Sequence, residues 1–250
     1  MTQQTSSLAG KVAFVQGGSR GIGAAIVQRL AREGATVAFT YVSSAQKADE
    51  LAAAIEARGG RALAIQADSA DAGALQAAIA QVAETFGRID ILVNNAGVLA
   101  IAPVDEMTLE DFDRTIAVNV RSVFVATQAA VKHMGAGGRV ITIGSTNAER
   151  MPFAGGSVYA MSKSAIVGLT KGLARDLGPR GITVVDVQPG PVDTDMNPAE
   201  GEFADSLKPL MAVGRYGRVE EIASFVAYLA GPESGYITGA SLLIDGGFSA

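Results

Sequence analysis

Tyr159-Ala160-Met161-Ser162-Lys163 sets a phenol and an ammonium four residues apart. On a helix, that spacing brings both side chains to one face, within reach of one bound molecule. A free phenol, with a pKa near 10, exchanges protons poorly at neutral pH. A neighbouring cation favours the phenolate and eases the exchange, so the pair suits general acid–base work. Ser145 lies fourteen residues upstream of the tyrosine, directly after an apolar run, where it can donate a hydrogen bond to an oxygen of the same molecule. Alone, the Tyr-x-x-x-Lys spacing is a weak signal, because a packed ring beside a solvated lysine is the commoner arrangement.

A second motif changes the weight of the first. Gln16-Gly17-Gly18-Ser19-Arg20-Gly21-Ile22-Gly23 follows the first apolar run and precedes a segment of helical period. Glycines there let the backbone turn tightly and approach a pyrophosphate, whose charge meets amide N–H groups at the helix N-terminus. A bare glycine triplet says little, but its place after the first strand of a βαβ unit makes it a dinucleotide-binding fingerprint. The end of the second run selects the nucleotide. NAD sites commonly hold the ribose 2′-hydroxyl with a carboxylate at that point, whereas this chain reads Thr40-Tyr41-Val42-Ser43-Ser44. A guanidinium makes forked, charge-assisted contacts to phosphate. Arg20, with the hydroxyls of Tyr41, Ser43 and Ser44 nearby, therefore favours NADPH over NAD.

These side chains need a frame. Near-continuous apolar runs at 12–15, 36–41, 62–66, 89–93, 140–143, 183–187 and 241–244 read as strands covered on both faces. Between them lie helical periods: Ile22, Ile26 and Leu30; Leu51 and Ile55; Leu75, Ile79, Val82 and Phe86. A long helix is expected over 108–134, opened by a capping box at Thr108-Leu109-Glu110-Asp111, and others over 158–177 and 220–229. The alternation predicts an α/β fold, a doubly wound, Rossmann-type, seven-stranded parallel sheet with helices on both faces, as one domain over 1–250. Only 189–217 breaks the rhythm. It carries four of the eight prolines and is expected to be a loop or lid, with a short helix near 206–211.

The bulk numbers agree. At 250 residues, 48% hydrophobic and 18% charged, the chain can bury a large single core. A net charge of −5 without a basic run opposes nucleic-acid binding. No cysteine and a single histidine, His133, exclude thiolate chemistry, multi-histidine metal sites and a Ser-His-Asp triad built elsewhere. His133 is expected on an outer surface. The polar start 1–10 lacks the plan of a signal peptide and no apolar run reaches the length of a membrane span, so a soluble, cytoplasmic protein is expected.

Together these motifs resemble the short-chain dehydrogenase/reductase family, in its branch of about 250 residues and one domain, over essentially the whole chain from Leu8. The carriers are Gly17 to Gly23, Asn94-Asn95-Ala96-Gly97, Asn119, Ser145, Tyr159 with Lys163, Pro189-Gly190 with Thr194, and Asp245-Gly246-Gly247. The resemblance implies a tetrad: Tyr159 as general acid, Ser145 orienting the carbonyl, Lys163 holding the nicotinamide ribose, and Asn119 holding a water of a proton relay. It implies that Asp68 and Ser69 meet the adenine side, that Asn95, Ala96 and Gly97 line the adenosine and ribose, and that Pro189, Gly190, Val192 and Thr194 lie near the nicotinamide. Bland roles compete: Asn95 and Asn119 bracing backbone, and Asp68 capping the helix that starts near Asp71. The resemblance also implies a homotetramer, through the helices at 108–134 and 158–177 and the last strand.

Three residues depart from the family pattern. Gln16 stands where Thr usually ties the loop to the strand, a hydrogen bond its amide is expected to replace. Asp186 and Gln188 replace the commoner asparagine-containing pattern before Pro189-Gly190. Substrate contacts are expected from Asn147, Arg150, Met151, Phe153 and Met196, with Tyr216 a further candidate. The leading expectation is a ketone or 3-oxo-ester reductase, and an NAD-dependent alcohol dehydrogenase is an alternative. Another comes from a branch described as cyclic-di-GMP-binding biofilm-dispersal proteins, which Gln188 to Asp195, Asn197-Pro198-Ala199 and Arg150-Met151-Pro152 resemble. On that reading Arg150 is a phosphate contact, with a salt bridge to Glu149 as its plainer role.

Overall fold

Seven of the apolar runs pair side by side in a computed structural model that describes residues 7–250, so most of the expectation drawn from 1–10 lies outside it. The strands are β1 (Val12–Gln16), β2 (Thr36–Tyr41), β3 (Arg61–Gln66), β4 (Ile91–Asn94), β5 (Arg139–Ile143), β6 (Thr183–Pro189) and β7 (Ala240–Ile244). All pairings are parallel, in the order β3-β2-β1-β4-β5-β6-β7. The connecting helices are α1 (Gly21–Arg32), α2 (Ala45–Glu56), α3 (Ala72–Phe86), α4 (Leu109–Ile116), α5 (Ser122–Ala130), α6 (Ser157–Leu177), α7 (Glu202–Leu207) and α8 (Val219–Ala230).

Both faces of the sheet are buried, so each strand contributes to two cores. Ala13 and Val15 of β1 pack with Ile26 and Leu30 of α1, Leu51 of α2 and Val226 of α8. Val12 and Phe14 pack on the other face with Leu75 and Ile79 of α3, Val125 of α5 and Leu177 of α6. The order of connection reverses between β1 and β4, which opens a crevice at the C-terminal strand ends, where ligands of such sheets bind.

Several boundaries differ from the sequence expectation for local reasons. β4 starts at Ile91 because the Asp90 carboxylate takes the Val12 N–H (2.9 Å) and Ile89 N–H turns to the His133 carbonyl. The long helix is interrupted by a π turn at Ala117–Arg121, which separates α4 from α5, and ends in a 3-10 turn at Val131–His133. Its capping box is half made. Thr108 Oγ1 accepts the Asp111 N–H (3.0 Å), but the Asp111 carboxylate, shorter than that of Glu, takes the Thr108 hydroxyl (2.7 Å). The short helix in 189–217 begins at Glu202, four residues earlier than expected.

That segment has a small core of its own. Ala204, Leu207, Met211 and Tyr216 pack with Phe248 from the C-terminus and against Phe153, so lid and chain end form one cluster. His133 is exposed, as read from sequence. Among the described residues no helix is long and apolar enough to cross a membrane, and no acidic or histidine cluster could hold a metal ion.

Candidate active site

The glycine loop is held from both sides. Gly17 adopts φ 71°, where a side chain would be strained, and its N–H donates to Thr40 Oγ1 at 2.9 Å. Asn95 Nδ2 donates to the Gly17 carbonyl at 2.8 Å. A Cβ at Gly23 would lie 2.1 Å from that carbonyl oxygen, so only glycine lets the loop fold against α1. The sequence reading gave the tie between loop and strand to Gln16, and the structure corrects this. Gln16 is fully buried, its amide atoms find no hydrogen-bond partner, and Thr40 makes the tie instead.

The first turn of α1 carries no acidic residue and its N-cap, Arg20, makes no side-chain cap. The N–H groups of Gly21, Ile22 and Gly23 thus sit at the positive end of the helix without intrahelical partners, a ready anion site. Arg20 is exposed beside them and forms no ion pair among the described residues. No carboxylate stands at Val42, Ser43 or Ser44. A cradle that only glycine permits, an uncapped helix start and a free guanidinium fit a dinucleotide that bears an extra phosphate on its adenosine ribose.

Across the sheet, Ser145 follows β5, and Tyr159 and Lys163 lie on the first turns of α6. Lys163 is buried; its Nζ donates to the Ile143 carbonyl at 3.0 Å and lies 5.7 Å from the centre of the Tyr159 ring. Ser145 Oγ accepts the Asn147 N–H (3.1 Å) and donates its own proton to Asn147 Oδ1 (3.2 Å), so both groups fix the hydroxyl. Asn119 sits in the π turn behind this wall. Its amide accepts Val98 N–H (2.9 Å) and donates to Val98 O (3.0 Å) and Ser162 Oγ (3.0 Å). In this geometry its visible work is to brace the chain after β4.

One cleft of about 850 Å³ joins these groups. Because the strand order is fixed, its lining runs from Asp68 and Ser69 after β3, through Tyr41, Ser43 and Ser44, to the loop residues Gly17, Ser19, Arg20, Gly21, Ile22 and Gly23. It continues over Asn95, Ala96 and Gly97 to Ser145, Tyr159 and Lys163, and then to Pro189, Gly190, Val192 and Thr194. Asp68 keeps to the cleft; the cap of α3 comes from Asp71, which accepts the N–H groups of Gly73 and Ala74.

Of the expected substrate contacts, Asn147, Phe153 and Met196 line the cleft. Arg150 and Met151 do not, and both expectations are corrected. The Arg150 guanidinium donates to the Phe248 carbonyl and stacks over its ring, 5.7 Å from the centre, and makes no salt bridge to Glu149. Met151 packs beneath Gly156, and its sulfur accepts from Asn147 Nδ2 at 3.2 Å. Tyr216 is buried in the lid cluster, and that burial raises its phenol pKa. The sequence reading missed Leu99, Ile101, Arg114, Phe203, Leu207 and Phe248 as lining residues. Phe203 makes an edge-to-face contact with Phe153, ring centres 5.6 Å apart. Apart from Arg114, which reads as an ordinary helix charge, the only sequence signal for these was their apolar character, which core residues share.

Comparison with known proteins gives concordant matches. The family profile described as enoyl-(acyl carrier protein) reductase matches residues 17–249. The cyclic-di-GMP-binding biofilm dispersal mediator protein of Escherichia coli K12 is 48% identical over 241 residues, 96% of this chain and 98% of that one. The structure of a short-chain dehydrogenase/reductase from Serratia marcescens is 70% identical, with a TM-score of 0.97 over 98% of this chain and 100% of that one. A short chain dehydrogenase from Burkholderia cenocepacia, solved in complex with NADP, is 56% identical, with a TM-score of 0.96 over 98% and 100% of the two chains.

Proposed function

The chain belongs to the short-chain dehydrogenase/reductase family of oxidoreductases, and from that premise we propose that it is an NADPH-dependent carbonyl reductase, converting ketones and 3-oxo esters reversibly to secondary alcohols. The observation that carries this reading is the continuity of the cleft: an anion cradle with Arg20 at one part, and Ser145, Tyr159 and Lys163 beside an apolar wall at another. The relative from Burkholderia cenocepacia, solved with NADP, supports the choice of nucleotide.

When bound, NADPH supplies the hydride; Gly17 to Gly23, Arg20, Ser43, Asn95, Lys163 and Thr194 would hold it. The protein's part is alignment and charge. Ser145 Oγ, steadied by the Asn147 N–H, turns its hydroxyl away from Asn147 Oδ1 and donates a hydrogen bond to the substrate's carbonyl oxygen. Tyr159 gives its phenol proton to that oxygen as it gains negative charge, and takes it back in the reverse direction. The Lys163 ammonium, anchored on the Ile143 carbonyl, stabilises the phenolate left behind. Leu99, Ile101, Phe153, Phe203 and Phe248 exclude water and receive the apolar part of the ketone.

The test is NADPH consumption against ethyl 3-oxobutanoate, a diketone and an aryl ketone, with NADH in parallel. Turnover with NADPH and little with NADH is expected. Silence across the panel from protein that binds NADPH would overturn the proposal, and preference for NADH would instead favour an alcohol dehydrogenase. Arg20→Ala should raise KM for NADPH by roughly 10- to 100-fold, the worth of one hydrogen-bonded charge, and leave KM for NADH unchanged.

A second reading, a cyclic-di-GMP-binding regulator, is supported by the similarity to the Escherichia coli mediator protein. The engagement of Arg150 by Phe248 counts against the phosphate contact it would use. Calorimetry decides: no heat with cyclic-di-GMP at high micromolar concentration removes it. We also propose a homotetramer. Leu109, Phe124 and Met161 are exposed on α4, α5 and α6, and Tyr228, Tyr236 and Leu243 form a separate exposed set around α8 and β7. A stable monomer by light scattering would overturn it.

A further inference from the structure

Asp186, one of the departures before Pro189-Gly190, is fully buried on β6, beside Thr142 of β5 and Ser241 of β7 in the register of the sheet. One carboxylate oxygen accepts from Gln188 Nε2 (3.0 Å) and Ser241 Oγ (3.1 Å). The other, Oδ1, has no hydrogen-bond partner and packs against Gly144, where a Cβ would lie 2.2 Å away. Gly144 is the residue before Ser145, and its N–H bonds to the Val187 carbonyl at 2.7 Å. Asp186 thus lies directly behind the strand end that carries the catalytic serine. The same strand end anchors Lys163, through the Ile143 carbonyl.

The surroundings of this carboxyl hold few charges. β5 presents Thr142 and, just past its end, Gly144; β7 presents Ser241 and β6 presents Gln188, all uncharged. From α6, Lys163 brings a charge to the same strand end: its Nζ sits on the Ile143 carbonyl, one residue before the Gly144 against which the carboxylate packs. Burial pushes the carboxyl up to about 6, while the bonds from Gln188 and Ser241 and the Lys163 charge pull it down. Near neutral pH it therefore stands close to its own ionisation.

We propose that Asp186 is a positioning residue whose buried carboxylate is the counter-charge of Lys163, and that through Lys163 it sets how readily Tyr159 holds its proton. This rests on the acid–base role given to Tyr159 above. When Asp186 is ionised it offsets part of the ammonium's field at the phenol, so Tyr159 keeps its proton to higher pH, the form that reduction needs. When Asp186 is neutral, or replaced by Asn, the uncompensated ammonium favours phenolate, the form that oxidation needs.

The experiment labels the five tyrosines at Cζ with carbon-13, assigns Tyr159 by its loss in Tyr159→Phe, and follows its resonance with pH. In Asp186→Asn, which preserves the side chain's shape and an oxygen for Gln188 and Ser241, Tyr159 is expected to titrate at lower pH than in the native protein. The alkaline limb of the kcat/KM profile for reduction should move the same way. Equal titration midpoints in the two proteins would overturn the proposal. In the native protein the Tyr159 resonance should also show an inflection near pH 6, where Asp186 ionises; this needs no variant to fold, and its absence overturns the proposal equally. Because the resonance needs no turnover, a protein that shifts as expected yet reduces no ketone loses only the reductase reading.

Discussion

Two amides on neighbouring strand ends, Asn95 half-buried and Gln16 fully buried, have opposite circumstances. Asn95 gives its N–H to the carbonyl of Gly17 and closes the glycine loop, whereas Gln16, one residue before that loop, is sealed in with neither amide atom partnered. A buried polar group left so costs about 1–3 kcal/mol. Gln16→Met, close in volume and without the polar atoms, should therefore raise the urea midpoint of unfolding without changing KM for NADPH. A fall in the midpoint would show that the amide is satisfied in solution. The meeting of Tyr159, Lys163 and Ser145 in one cleft was legible from residue type and spacing, because a motif of few positions needs only one helix and one strand end to assemble. Arg150 was misread for the converse reason: a cation's partner is set by the tertiary fold, and here it comes from Phe248, 98 residues away.

Strands and helices followed from pattern alone, since a parallel sheet buried on both faces writes unbroken apolar runs and its crossover helices write a 3.6-residue period. Less visible were features that leave the period intact. The π turn at Ala117–Arg121 adds one residue without disturbing the apolar positions, and its sole trace is Asn119 between Val118 and Val120. The cap of α3 fell three residues from the candidate weighed in the sequence: Asp71 makes it and Asp68 does not. Asp71 accepts two N–H groups there, so Asp71→Ala should cost about 1 kcal/mol in chemical denaturation, and no loss would mean that water caps the helix equally well. The return of the C-terminal segment onto α7 left no such trace. Phe248 is fully buried in that cluster and also lines the cleft. Phe248→Ala should lower stability by roughly 3–5 kcal/mol and shift relative kcat/KM toward bulkier ketones. An unchanged preference would remove Phe248 from the substrate wall.

At the scale of the whole molecule, ionisable groups act on stability in opposite directions. Asp186 has its carboxyl raised from 3.8 to about 6 by burial, so the folded state holds a proton that the unfolded chain releases. Its contribution is therefore most favourable at low pH and is lost as pH rises from about 4 through 6. Asp186→Asn should remove that slope, leaving the variant more stable than the native protein at pH 8 by at most roughly 3 kcal/mol. Parallel stability curves would show that Asp186 does not titrate there. Glu221 is the reverse case. The bidentate Arg215 contact and the Arg218 N–H hold it down at about 2, so its contribution is present at neutral pH and lost as pH falls from 4.5 through 2. Exposed to solvent, that contribution should also weaken in salt.

The central proposal is that one cleft brings a reducing nucleotide and the Tyr159 proton to the same carbonyl. The measurement that tests it most directly is the steady-state rate of NADPH oxidation by ethyl 3-oxobutanoate in the native protein and in Tyr159→Phe, with NADPH affinity measured by fluorescence in both. The expected result is a kcat lower by roughly 10²- to 10⁴-fold in the variant, as for removal of a general acid, with NADPH affinity retained. A variant that binds NADPH and turns over at the native rate would contradict the account.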